Sequence, residues 1–211
     1  MTIANDIINT FKTYKTFTSG DVRILMKSRH KKVSDKLLQV SLSRMVKEGV
    51  IYTVIKGVFS TQMRDDITGF AFSPFYYGGL AALMMRDLID DQVKIEVMTT
   101  RTVKRSYQAI YGGKSKIILH HIPTKYYFGF SDLKYGDITV PVSDPEKTLI
   151  DIFYYQIALS VRDYAEVLKR LNAGVLNKYL KHYDRHTRTA VIAFVKKYKP
   201  IADSGELENP Y

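Results

Sequence analysis

His182 and His186 stand four residues apart in a segment with helical periodicity, a spacing that puts two imidazoles on one helix face for a metal ion. No carboxylate between them completes a metalloprotease motif, so the pair reads as helix surface. His120 and His121 are adjacent in a segment with strand character and point to opposite faces, which makes them poor co-ligands. Gly78-Gly79 followed by Asp90-Asp91 has the outline of a nucleotidyltransferase site, with a glycine turn for a triphosphate and paired acids for metal ions. The second acid should stand one residue past Asp91, where the chain has Gln92. A restriction-type nuclease needs Glu-x-Lys behind an upstream acid, and the sequence contains no Glu-x-Lys. The absence of cysteine removes thiol nucleophiles, thiolate zinc sites and disulfides. The expectation is a protein without a catalytic residue, metal or cofactor, and its rival is an enzyme acting on nucleic acid.

The basic side chains offer a different chemistry. The net charge is +11, and it is concentrated. Residues 1–61 hold 11 Lys and Arg against 4 acids, and residues 101–131 hold 6 against none, while the remainder is close to balance. Clustered cations release counterions when they meet phosphates, so a polyanionic partner is expected. No apolar run is long enough to cross a bilayer, and Met1 is not followed by a basic then apolar leader, which reads as a cytoplasmic protein with no membrane partner.

The elements that position these cations follow from periodicity. Ile3, Ile7, Ile8, Phe11 and Tyr14 recur at helical spacing and predict a helix over 3–14. A second helix is expected after Thr18, which can cap it with Asp21 three residues on, and its buried face is Val22, Leu25 and Met26. Ser34 is a good N-cap for a third helix, in which Leu38, Ser41, Leu42 and Met45 share one face, flanked by Leu37 and Val46, and Gly49 ends it. The run Val50 to Ile55, the turn Lys56-Gly57 and Val58 to Ser60 then predict a hairpin.

Three helices and a hairpin are the order of a winged helix-turn-helix, assigned to residues 1–61. Its third helix would enter the major groove, where base edges can be distinguished. The candidate DNA-binding residues on it or beside it are Ser34, Lys36, Gln39, Ser43 and Arg44. Lys31, Lys32, Lys47 and Lys56 suit phosphates, which set register without reading sequence.

Residues 62–72 read as a linker and 73–198 as a second domain, with 199–211 a polar tail expected to be disordered. The second domain should start with a small-residue helix near Pro74. Strands are expected at Val93 to Thr99, Lys116 to Ile122, Tyr126 to Phe130 and Ile138 to Val142, and helices at 145–158, 161–171, 175–183 and 185–198. The fold class is α+β, with the winged helix-turn-helix followed by a mixed domain of a small antiparallel sheet and helices that ends in a helical segment. Arg101, Lys104, Arg105, Lys114 and Lys116, interleaved with Tyr107 and Tyr111, are a possible second nucleic-acid contact, on DNA beside a half-site or on stacked RNA bases. Alternatively, these tyrosines are core and the lysines solvated.

The order of a winged helix, Tyr76-Tyr77-Gly78-Gly79-Leu80-Ala81-Ala82, Thr99-Thr100-Arg101, Phe128-Gly129 and the segment Ile138 to Phe153 resembles the AbiEi antitoxins. These are the transcriptional-regulator halves of type IV toxin-antitoxin, or abortive infection, systems. The resemblance runs over roughly residues 5–198, and its most specific part is Val142 to Asp151. It implies a repressor of its own operon that binds inverted repeats, and half-site symmetry then predicts two copies on the operator, from a monomer or a homodimer. It also implies a functional antagonist of a nucleotidyltransferase-like toxin, neutralised without a stable complex.

Within that motif Asp144, Pro145, Glu146, Lys147, Thr148 and Asp151 read as structural. Asp144 caps a helix, Pro145 fits its first turn, Glu146 favours its positive end, and Asp151 holds a neighbouring basic group while Leu149, Ile150 and Phe153 bury. Catalytic carboxylates are the sharper alternative. A third possibility is a regulator whose second domain senses a small ligand through its tyrosines.

Overall fold

The computed structural model describes residues 3–29, 34–90, 94–102, 106–108 and 116–205. The chain is α+β and divides into two compact units, one of residues 1–73 with 107–115, the other of 74–106 with 116–211.

The first unit opens with α1 (Ile3–Phe11), β1 (Phe17–Thr18), α2 (Ser19–Arg29) and α3 (Asp35–Lys47), then β2 (Tyr52–Ile55) and β3 (Val58–Ser60). Its core is Ile7, Phe11, Phe17, Val22, Met26, Leu38, Leu42, Met45 and Ile51. The α1 helix stops at Phe11, before the expected residue 14. Tyr14 is 54% exposed, with its ring edge-on to Phe11 at 5.4 Å.

The start of α2 is fixed by a reciprocal cap: Thr18 Oγ1 accepts from Asp21 N at 3.1 Å, and Asp21 Oδ2 accepts from Thr18 N at 2.7 Å. Gly49 ends α3 at φ +69°, and Gly57 turns the hairpin at φ +81°. A two-residue strand, β1, completes an antiparallel sheet of order β1-β3-β2. Sequence periodicity missed it because two residues show no alternation.

The segment expected to be a linker is instead a 3-10 helix, Asp65–Phe72. Ile67, Ala71 and Phe72 are buried there, so these apolar residues are core. Arg64 clamps the turn through a two-point ion pair to Asp66.

A six-stranded sheet consists of β4 (Phe75–Tyr77), β5 (Lys94–Thr99), β6 (Ser106–Gln108), β7 (Lys116–His121), β8 (Phe130–Tyr135) and β9 (Ile138–Ser143). Their order is β6-β7-β5-β4-β9-β8, and all but β6 lie wholly in the second unit. The expected antiparallel pairing holds for β4 with β5 and for β8 with β9, while β5 with β7 and β4 with β9 run parallel.

The helix expected at Pro74 is preceded by a strand. Phe75, Tyr76 and Tyr77 are all buried, as aromatic strand residues tend to be, and α4 (Gly79–Met85) follows. The expected strand at Tyr126 to Phe130 is instead a 3-10 turn at Thr124–Tyr126 and a left-handed Gly129, after which β8 begins.

Four helices complete the unit: α5 (Pro145–Tyr155), α6 (Val161–Arg170), α7 (Ala173–Leu180) and α8 (Arg185–Ser204). Each has a polar N-cap, namely Asp144, Ser160, Asn172 and Asp184. The α8 helix runs through Pro200 to a Gly205 cap, so residues 199–204 are helical rather than a disordered tail. Ala202 is buried, and Lys199 Nζ donates to Leu168 O at 2.9 Å, which holds this last turn against α6. Among the described residues no helix is long and apolar enough to cross a membrane.

Candidate nucleic-acid interface and a buried polar cluster

In the first unit α3 turns Leu38, Leu42 and Met45 into the core and Lys36, Gln39, Ser43, Arg44 and Lys47 outward, all five exposed. Ser34 is its N-cap, and its hydroxyl oxygen accepts from Leu37 N at 3.3 Å, so that group is already engaged by the helix. Lys56 is exposed at the hairpin turn. Lys31 and Lys32 lie outside the described residues.

Two ion pairs hold α3 and α2 in place. Arg23 Nε donates to Asp35 Oδ1 at 2.8 Å, tying α2 to the first turn of α3. Arg29 Nη1 donates at 2.7 Å to Asp6 Oδ1, a carboxylate only 2% exposed, tying the end of α2 to α1. Sequence reasoning counted both arginines as positive charge. Asp6 falls at i−1 from Ile7 on the buried face, and that position was the available signal. Arg44 pairs with Glu48 at 3.2 Å, both exposed.

Sequence periodicity sets Leu37 at the flank of the buried face, but it is 46% exposed, and Val40, absent from every expected face, is 58% exposed.

The second basic stretch is only partly described. Arg101 and Lys116 are exposed, Lys116 at the start of β7. Lys104, Arg105, Lys114 and Tyr111 lie outside the described residues, and Tyr107 is placed only by its backbone in β6.

The motif from Val142 to Asp151 in the second unit forms a polar cluster around α5. Asp144 Oδ1 accepts from Lys147 N at 2.7 Å, and its Oδ2 accepts from the Tyr179 hydroxyl at 2.8 Å. Pro145 occupies the first turn, as expected. Glu146 stands in the first turn of α5, as expected, and its carboxylate also accepts from Asn172 N, the cap of α7. Thr148 Oγ1 shares a hydrogen bond with Ser143 Oγ at 2.6 Å.

Lys147 and Asp151 are both fully buried and ion-paired one helical turn apart. Asp151 Oδ2 accepts from the Tyr76 hydroxyl at 2.8 Å, and Lys147 Nζ also donates to the Tyr183 oxygen at 2.8 Å. The ammonium lies 5.3 Å from the Tyr76 ring centre, 5.7 Å from Phe128 and 5.6 Å from Tyr183. Burial pushes the lysine pKa down and the aspartate pKa up, and each partner's charge pulls the other back. The Tyr76 hydroxyl is pushed up by burial and by Asp151. An ion pair hydrogen-bonded to Tyr76 and Tyr183 and sealed at 0% exposure has no face toward a substrate, so its geometry suits a structural clamp.

The Gly78-Gly79 turn is occupied from inside the protein. A Cβ on Gly79 would collide with Glu96 Oε2, which accepts from Leu80 N at 2.6 Å. Glu96 is 3% exposed, and burial outweighs that hydrogen bond, raising its pKa to about 7. Asp90 lies beyond α4, and Asp91 is outside the described residues. Among the described residues no group of three or more metal-ligating side chains gathers. His182 stacks obliquely on Phe128 at 5.0 Å, and His120 on Tyr155 at 4.6 Å.

This arrangement defines an α+β protein of two units, one presenting a basic helix face and the other built around a buried charge pair. No family model matches the chain, and no curated protein matches it. Solved structures that share the fold include the crystal structure of RV2827C protein from Mycobacterium tuberculosis. The match has a TM-score of 0.60 at 10% identity and covers 99% of this chain and 81% of that one.

Proposed function

We propose that this protein is a DNA-binding transcriptional repressor, with its first unit a winged helix-turn-helix that places α3 in the major groove. The observation that carries this reading is the outward face of α3, where Lys36, Gln39, Ser43, Arg44 and Lys47 are exposed together opposite an apolar core stripe. The hairpin turn adds Lys56, in the place from which a wing reaches a phosphate. Gln39 suits adenine and Arg44 suits guanine, each by two hydrogen bonds in the groove.

Footprinting on the protein's own upstream region, repeated over a range of salt, tests the reading. The expected result is a protected inverted repeat with an affinity that falls steeply with salt. Replacing Lys36 and Lys47 with Ala should flatten the log–log slope by about 0.9 for each phosphate that the variant no longer neutralises. Absence of protection, or indifference to salt, would sink it.

The resemblance of Val142 to Asp151 to the AbiEi antitoxins extends the proposal to an autorepressor that antagonises a nucleotidyltransferase-like toxin. The burial of Lys147 and Asp151 and their hydrogen bonds to Tyr183 and Tyr76 support a regulator over an enzyme at this motif. Co-expression with a nucleotidyltransferase-like gene from the same locus should relieve growth arrest. A locus without such a gene removes the antitoxin half and leaves the repressor.

A further inference from the structure

Successive residues of an α-helix turn by about 100°, which sets Val40 opposite the buried stripe of Leu38, Leu42 and Met45. Its 58% exposure agrees with that position. Around it at helical spacing stand Lys36, Ser43, Arg44 and Lys47, with Leu37 one turn back and 46% exposed. A β-branched residue is a mediocre helix former, and here it adds nothing to the core. An apolar contact ringed by cations matches a surface that is polyanionic at its margin and apolar at one point. In the major groove of duplex DNA the phosphates form that margin, and the thymine 5-methyl is the apolar group on the floor.

We propose that Val40 reads a thymine methyl at the middle of the half-site, with Leu37 extending the apolar contact. This specificity rests on the reading of α3 as the helix in the major groove.

The experiment uses the full chain and the duplex protected in the footprint, with each thymine replaced in turn by deoxyuracil, which deletes only the methyl. Wild type should lose about fourfold in affinity at one or two positions per half-site, the worth of a buried methyl-sized group. Val40→Ala should bind the unmodified duplex correspondingly more weakly and be indifferent to uracil at that same position. Unchanged thermal unfolding of V40A shows that the exposed substitution leaves the fold intact.

If the duplex is bound and no thymine matters to wild type, or if V40A weakens every duplex while keeping the uracil effect, the methyl contact is refuted and the DNA-binding reading stands. A V40A loss that tracks reduced self-association in sedimentation assigns the face to a second copy and also refutes it. If no upstream duplex is bound at any salt concentration, the groove reading itself fails and takes the methyl contact with it.

Discussion

Replacing Asp151 with Asn would leave the Lys147 ammonium buried at 0% exposure without its ion-pair partner, with only the weaker pull of the Asp144 charge. The substitution is nearly isosteric, so its cost is electrostatic rather than a matter of volume. Removing one partner of a buried pair costs about 3–5 kcal/mol, because the survivor keeps its desolvation penalty without its compensation. Tyr76 can still donate to the amide oxygen, which holds the loss within that range.

Lys147→Met should cost a similar amount by stranding the carboxylate. The double variant D151N/K147M removes both charges, and the amide oxygen introduced at position 151 still accepts from Tyr76, which leaves the Tyr183 hydroxyl without its lysine partner. Its loss should therefore fall short of the sum of the two single losses by at least about 2 kcal/mol.

Thermal and urea unfolding followed by near-UV circular dichroism suits a chain with 16 tyrosines and no tryptophan. Each single substitution should lower the melting temperature of the second unit by roughly 10–20 °C. Losses below about 1 kcal/mol for both single variants, adding without coupling, would refute the view that this pair is a sealed structural clamp.

Glu96, pushed up to about 7, holds its proton more tightly in the folded protein than at its ordinary value of 4.5. Its contribution to stability is therefore full below about pH 4.5 and lost as pH rises through 7, roughly 3 kcal/mol in all. Glu96→Gln should flatten that part of the profile in urea midpoints measured from about pH 4.5 to 8. Gly129 sits at φ +73°, where a Cβ would lie 2.8 Å from Lys147 Cβ and 2.9 Å from the Tyr179 ring. Gly129→Ala should therefore cost about 2 kcal/mol or more in chemical denaturation. Asp6→Ala removes the acceptor for Arg29, whose side chain is 47% exposed and can be resolvated. Its loss in urea denaturation should accordingly be only about 1–2 kcal/mol, well short of a sealed pair.

The helices of the first unit were legible because their caps and apolar spacing are local. Thr18 with Asp21, Ser34, and Gly49 are visible within a few residues, and the structure uses them in those roles. The motif from Asp144 to Asp151 was legible for the same reason, down to the basic partner expected for Asp151, which is Lys147.

What sequence reading missed depends on distant residues. Phe75 to Tyr77 reads as the start of a helix until β5 and β9 pair with it from either side. Glu96 gives no sign that it will fill the Gly78-Gly79 turn, a contact made across 16 residues. In the outward face of α3 the cations are visible by type, whereas an apolar residue in a polar stripe, such as Val40, invites no notice until its exposure is known.

The polar cluster around α5 also bears on how the second unit forms. Tyr76 and Asp151 are 75 residues apart in sequence, and Lys147 and Tyr183 are 36 apart, so one short helix is tied into the fold from both directions along the chain. Contacts of such separation form only after the entropy of long loop closure has been met, which slows folding relative to a bundle of local contacts. Opening α5 also means unpairing the buried charge. Its amides should therefore exchange with solvent only through unfolding of the whole unit, making this helix its slowest-exchanging segment.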